Sequence, residues 1–112
     1  MTDRELLKLD AEAAGYLPNR NWTWSDRVGD SGAYRYRVAG DWVEWNPLTD
    51  DGDALRLAVM CKLTITYVAN EAWPDVIAIT GHQITEQVGR DPFAATRRAI
   101  GRAAAEIGRS AS

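Results

Sequence analysis

Trp45–Lys62, WNPLTDDGDALRLAVMCK, decides the fold, because here a tryptophan-bearing strand passes into a helix. Asn46 precedes a proline, which disfavours helical backbone at that position, so the strand and the helix are joined by a turn. Asp50 or Asp51 is expected to cap a helix that runs to about Lys62, and Asp50 and Asp53 have the spacing of a cap and the amide it satisfies. Only Arg56 is charged in the middle of the helix, which is therefore predicted to be buried on most sides.

The segments on either side of this stretch predict a helix at each end of the chain and strands between them. Thr2 and Glu5 have capping-box spacing, which starts the first helix. Residues 16–33 are predicted to be a long loop, part of it a short strand. The other predicted elements are a first helix over 2–14, a hairpin over 34–45, strands over 63–68 and 75–80, and a last helix from Asp91-Pro92 with a frayed tail over 108–112.

This order of elements, αββαββα, predicts a single α+β domain over residues 1–112. Its expected architecture is a small, mostly antiparallel four-stranded sheet packed with three helices in an α-β-α sandwich-like arrangement. The formal net charge of −3 argues mildly against a grip of the whole domain on nucleic acid. No apolar run approaches the roughly 20 residues that cross a bilayer, so no membrane association and a cytoplasmic location are expected.

Catalytic and metal-binding patterns are weak in this sequence. The aspartates at 50, 51 and 53 do not fit a calcium-binding EF-hand loop, because position six would be Leu55 and position twelve Cys61. Gly29–Gly32 reads GDSG, a string also found around serine-protease nucleophiles, but it is ordinary turn composition. His82 is the only histidine, which leaves no cluster for a metal. The sequence therefore predicts no catalytic residues, no metal and no cofactor.

Tryptophans and arginines supply the candidate binding residues. Trp22 and Trp24 have same-face spacing if their segment is extended, and an exposed pair could anchor a partner protein or stack on a ligand ring. The alternative is that both fold back over the edge of the sheet. Arg98, Arg102 and Arg109 lie along one side of the last helix and could meet phosphates or an acidic partner. The alternative for this arginine stripe is an ordinary solvated face.

The stretch Trp45–Ala58 resembles the signature of small phage and prophage proteins called the phage ABA-sandwich domain. Asp91–Ile100 is similar to the closing helix of that family, and Met1–Gly15 to its opening helix. The resemblance covers most of the chain and is weakest over Tyr16–Arg37, where the family varies in length. It implies a helix–sheet–helix sandwich, a phage or prophage origin and no established activity. The motif residues it marks as structural are Trp45, Asn46, Pro47, Asp50, Gly52 and Asp53.

The function predicted first is that of a non-catalytic accessory protein of a phage or prophage, acting in the host cytoplasm by binding a host or phage protein. Countering a host defence system is one role that this origin and size suggest. The alternatives left open are a small-molecule or nucleotide-binding module, and a nucleic-acid binder that uses the arginine stripe. Self-association is also left open.

Overall fold

The computed structural model describes residues 2–26, 32–68, 75–79, 83–87, 89 and 91–111. In these ranges the chain is α+β, as predicted, and its elements follow the order αβββαβββα. The helices are α1 (Asp3–Ala13), α2 (Asp51–Met60) and α3 (Pro92–Ala111). The strands are β1 (Trp22–Ser25), β2 (Ala33–Val38), β3 (Asp41–Trp45), β4 (Thr64–Val68), β5 (Asp75–Ile79) and β6 (Gln83–Gln87).

The described strands form two antiparallel sheets of three strands each, sheet A in the order β1-β2-β3 and sheet B in the order β4-β5-β6. The predicted single sheet of four strands is therefore not confirmed. Each strand pairs with its neighbour in the chain, and α2 separates the two sets of three. Strand β6 is not predicted, because its sequence QITEQ is short and largely polar. Strand β1 is predicted only as part of a loop, because its sequence WTWS lies in a loop-like segment.

The predicted helix caps of α1 and α2 are confirmed. The Thr2 hydroxyl accepts a hydrogen bond from the Glu5 amide at 3.1 Å, and the Glu5 carboxylate accepts one from the Thr2 amide at 3.4 Å. Asp50 caps α2, because its carboxylate accepts from the Asp53 amide at 2.8 Å. Amides of the first turn have no partner within the helix, and these carboxylate and hydroxyl oxygens satisfy them.

The hairpin of β2 and β3 is also confirmed. Its two-residue turn is Ala39-Gly40, with φ angles of 51° and 88°. Both values lie in the left-handed region, which a tight hairpin turn of this kind requires and which glycine adopts without steric cost. The turn sets the register in which Tyr34 lies opposite Trp45 and Arg37 lies opposite Trp42.

The predicted end of α3 at Gly108 is wrong, because the helix continues to Ala111. Gly108 lies at a close approach of α1 to α3, and a Cβ atom there would overlap the Leu9 carbonyl. Gly101 is the second close approach, since a Cβ atom there would lie 2.9 Å from Leu48 and 3.2 Å from the Asp10 carboxylate. These glycines therefore serve helix packing and not helix termination.

One core joins the three helices to the inner face of sheet A. Its buried apolar side chains exclude water from between these elements: Leu7, Ala11, Ala14, Tyr34, Trp45, Ala54, Leu57, Ala58, Ile100 and Ala104. A smaller cluster around Ala99 and Ala103 of α3 packs against Ile84 of sheet B. The sequence predicts a buried stripe along α3 made of Phe93, Ile100, Ala103, Ala104 and Ile107. It is confirmed for Ile100, Ala103 and Ala104, whereas Ile107 is only partly buried and Phe93 is 65% exposed.

Helix α2 is not buried on most sides. Ala54, Leu57 and Ala58 face the core, whereas Leu55 and Val59 are 63% and 67% exposed. The prediction was wrong because α2 has apolar residues on two sides, and only one of these sides packs against the core. Gly29–Ser31 of the GDSG string, a turn that the sequence predicts over 70–74 with Trp73 in it, and His82 lie outside the described residues.

Candidate functional site

Trp22 is part of an aromatic stack on the inner face of sheet A. Its ring lies parallel to Tyr16 at 4.5 Å and to Tyr36 at 4.6 Å between ring centroids. Its edge meets the buried Trp45 ring at 5.4 Å and an interplanar angle of 79°. Stacked and edge-to-face pairs of this kind add stability beyond the area they bury. The stack therefore ties the segment after α1 to sheet A.

Trp24 lies two residues further along the same face of β1 and is also partly buried. Its ring meets Tyr34 edge-on at 5.1 Å, and the Arg4 guanidinium lies over it at 4.8 Å. Its indole N–H donates to the Asp26 carboxylate. The two tryptophans predicted as a binding pair are thus folded against the sheet and α1. Neither of them lines the grooves described below, and ligand binding by them stays a prediction.

The turn before α2 is held by side chains from both of its ends. The Asn46 side chain accepts from the Leu48 amide at 3.0 Å, and the Asp53 carboxylate accepts from the Asn46 amide at 3.0 Å. Arg97 of α3 donates to the Leu48 carbonyl at 2.9 Å. Its second donor meets the Asp51 carboxylate at 2.6 Å. The motif of this turn therefore fixes how β3, α2 and α3 meet.

Asp53 is the buried member of the acidic group at the start of α2. Its pKa is raised by burial, and the hydrogen bond from the Asn46 amide opposes that rise. Arg56 is one turn further along and forms an ion pair with it at 3.4 Å. Among the described residues, no group of three histidine, cysteine or acidic side chains is arranged to hold a metal ion. The acidic group therefore caps α2 and lies in its first turn.

The arginine stripe lines a groove of about 310 Å³ beside α1 and β6. Each of its three predicted members has a carboxylate partner. Arg98 pairs with Asp3 at 3.3 Å, Arg102 with Glu86 at 2.7 Å and Arg109 with Glu106 at 3.5 Å. Ion pairs of this exposure add little stability, but they offset the positive charge that a phosphate would need.

A second groove, of about 350 Å³, lies between α2, β4 and the start of α3. Its walls are Leu55, Tyr67 and Phe93, which are 63%, 59% and 65% exposed. Val59 is one turn beyond Leu55 on α2, and Met60 follows it. We call the five side chains Leu55, Val59, Met60, Tyr67 and Phe93 the apolar surface. All five are more than half exposed.

The sequence does not predict the apolar surface, because α2 is expected to be buried on most sides and Phe93 to belong to the buried stripe of α3. The spacing of Leu55 and Val59, four residues apart, does show that they share one side of α2. The buried set, Ala54, Leu57 and Ala58, has helical spacing as well. Two apolar sides on one short helix indicate that one of them faces something outside the core.

Asp10 and Cys61 are two titratable side chains of the core whose reactivity depends on their burial. Asp10 is fully buried, and neither carboxylate oxygen has a hydrogen-bond partner. Burial raises its pKa well above the ordinary value. Burial, and next the charge of Asp10, raise the pKa of the Cys61 thiol to about 11. The thiol is therefore protonated at neutral pH, which makes it a poor nucleophile.

Comparison with known proteins adds no relative. No protein-family model matches the chain, and no curated protein or solved structure matches it. The resemblance to the phage ABA-sandwich domain accordingly stays a prediction. Within the described part of the chain, no helix is long and apolar enough to cross a membrane.

Proposed function

We propose that the chain is a non-catalytic accessory protein that acts by binding another protein through the apolar surface. The observation that carries the proposal is the exposure of Leu55, Val59 and Phe93, each of which is more than 60% accessible to solvent. Water in contact with such side chains is unfavourable, at about 25 cal/mol per Å² of apolar area. Covering them with a partner recovers this free energy.

The shape and lining of the groove favour a protein over a small molecule. The groove is open, and its floor consists of Ala54, Ile65 and Ile100. A small-molecule site usually encloses its ligand and adds a few convergent polar groups. Here the ion pair of Arg97 and Asp51 lines the groove, and the Asp51 side chain, which is 68% exposed, supplies the polar rim that protein interfaces have. The expected partner therefore presents apolar side chains that fill the groove.

The resemblance to the phage ABA-sandwich domain supports a wider form of this proposal. On that reading, the α+β chain has the family's sandwich-like arrangement, is made by a phage or prophage and acts in the host cytoplasm. Its partner is a host or phage protein, and countering a host defence is one role that fits a small, non-catalytic binder. The apolar surface is what such a role would use.

The test is co-purification of the tagged chain from a bacterial host, in three forms. The wild type is compared with Leu55→Asp combined with Phe93→Asp, which places two charges in the groove. The matched control is Asn21→Asp combined with Thr23→Asp, which adds two charges at exposed positions elsewhere. Circular dichroism confirms that all three are folded, and sedimentation measures their self-association.

The proposal predicts a near-stoichiometric partner, or a dimer of the chain, that survives in the control and is lost in the groove variant. If only the dimer is found, the partner is a second copy of the chain. A wild type that stays monomeric and retains no partner contradicts the proposal. A partner held equally by the groove variant also contradicts it, because its binding would not depend on the apolar surface.

A further inference from the structure

The outer face of sheet A carries a cluster that neither the core nor the apolar surface uses. Strand register places Arg37 opposite Trp42, and Arg35 opposite Glu44, on this face. The Arg35 guanidinium lies over the Trp42 ring at 4.4 Å, and the Arg37 guanidinium lies over it at 4.6 Å. Trp42 is nevertheless 42% exposed. The face thus presents one indole ring and two planar cations to solvent.

These two arginines differ from the arginine stripe of α3 in their partners. Within the described residues, no ion pair engages Arg35 or Arg37, although Glu44 shares the face. The Nε–H of Arg35 is buried and has no hydrogen-bond acceptor. Interaction with the Trp42 ring holds both cations in place without neutralising them. They are therefore free to bind an anion, whereas each predicted stripe arginine already meets a carboxylate.

We propose that the outer face of sheet A binds single-stranded nucleic acid. Arg35 and Arg37 would hold phosphates of the backbone, and bases would stack on the exposed indole and the guanidinium planes. Such binding combines cations that track the strand with aromatic rings that accept any base. An unpaired strand fits because its bases are free to stack on a flat face, which those of a duplex are not. The attraction is local to this face, because the whole chain carries a net charge of −3.

The charge of the phosphate backbone, rather than that of an acidic peptide, fits this cluster best. A phosphate accepts two parallel hydrogen bonds from one guanidinium, and its base stacks on the part of Trp42 that the two guanidinium groups leave exposed. An acidic peptide satisfies the arginines but supplies no ring to stack on the exposed part of Trp42. This site is separate from the apolar surface, so it stands or falls independently of the proposed function.

The experiment measures fluorescence anisotropy of a labelled oligothymidine and a labelled oligouridine of about ten nucleotides. Titrations run from about 50 to about 200 mM salt, because phosphate contacts weaken as salt rises. A plot of the logarithm of the binding constant against that of the salt concentration has a negative slope. Arg35→Ala combined with Arg37→Ala is expected to make this slope shallower by about 1.4, which corresponds to two lost phosphate contacts. Trp42→Ala is expected to weaken binding about tenfold through lost stacking. Glu44→Gln is expected to strengthen it.

The matched control is Arg98→Ala combined with Arg102→Ala, which removes the same charge from α3 and should leave binding unchanged. Thermal unfolding by circular dichroism verifies that each variant is folded. If Arg35→Ala with Arg37→Ala unfolds the chain, the comparison of Trp42→Ala and Glu44→Gln decides the matter. The proposal is overturned if the wild type binds neither oligonucleotide at low salt, or if only the α3 variant loses binding. It is also overturned if oligoglutamate competes as well as the oligonucleotides do.

Discussion

Replacing Asp10 with leucine should stabilise the protein at neutral pH. The Asp10 side chain is fully buried, and both of its oxygens lack a hydrogen-bond partner. A buried polar group without a partner costs about 1–3 kcal/mol, and more when it is ionised. Leucine has a similar branched shape and needs no hydrogen bond. We expect Asp10→Leu to raise the free energy of unfolding at pH 7 by about 2 kcal/mol.

The size of this effect should depend on pH in a defined direction. The carboxyl ionises near its ordinary value of 3.8 in the unfolded chain and at a higher pKa in the folded chain, because burial disfavours the charge. Between these two values the folded chain keeps a proton that the unfolded chain has released. The unfolding free energy of the wild type therefore falls as pH rises through this window, by about 1.4 kcal/mol per pH unit. Below the window the cost of ionisation disappears.

The assay is urea unfolding, followed by tryptophan fluorescence, at several pH values between about 4 and 7. Asp10→Asn keeps the size of the side chain and cannot ionise, so it should lose this part of the pH dependence. Asp41→Asn, at an exposed position, is the charge-matched control and should retain it. The reasoning is refuted if Asp10→Asn shows the same pH dependence as the wild type while Asp10→Leu lowers stability.

Three further predictions concern packing and reactivity. Gly108→Ala should destabilise by about 3 kcal/mol in urea unfolding, because its methyl group overlaps the Leu9 carbonyl. Gly52→Ala, in the first turn of α2, should change stability by less than about 1 kcal/mol, because a Cβ atom there meets only the ends of the Arg56 and Asp50 side chains, at 3.3 Å; equal losses at both glycines would contradict this account. Trp22→Leu should cost about 3 kcal/mol through loss of the aromatic stack; a change below about 1 kcal/mol would show that the stack is not part of the core. Cys61, whose pKa is raised to about 11, should react slowly with a thiol reagent at pH 8 and rapidly once urea unfolds the chain; similar rates in both states would rule out its burial.

The parts of the fold that sequence predicts well are those governed by local interactions. The capping box at Thr2 and Glu5, and the cap at Asp50, depend on residues three apart, so their spacing is visible in the sequence. The turn at Ala39-Gly40 is likewise a local feature between two alternating strands. These interactions form between neighbours in the chain, and no knowledge of the tertiary packing is needed to find them.

The parts that sequence misses depend on which side of an element meets another. A glycine at position 108 is typical of a helix end, but α3 continues past it, and the glycine instead allows the close approach of α1. Leu55 and Phe93 have core composition, yet both are exposed. Arg35 and Arg37 are in β2 and Trp42 is in β3, and only the register of the hairpin brings the three side chains together.

The most direct test of the central claim, that the apolar surface is a binding interface, is site-specific photo-crosslinking in a bacterial host. A photoreactive amino acid replaces Leu55 in one variant and the exposed Thr23 in another. The account predicts one dominant crosslinked product from position 55, either a partner or a second copy of the chain, which Phe93→Asp abolishes. It would be contradicted by equal crosslinking from both positions, or by a product at position 55 that persists with Phe93→Asp.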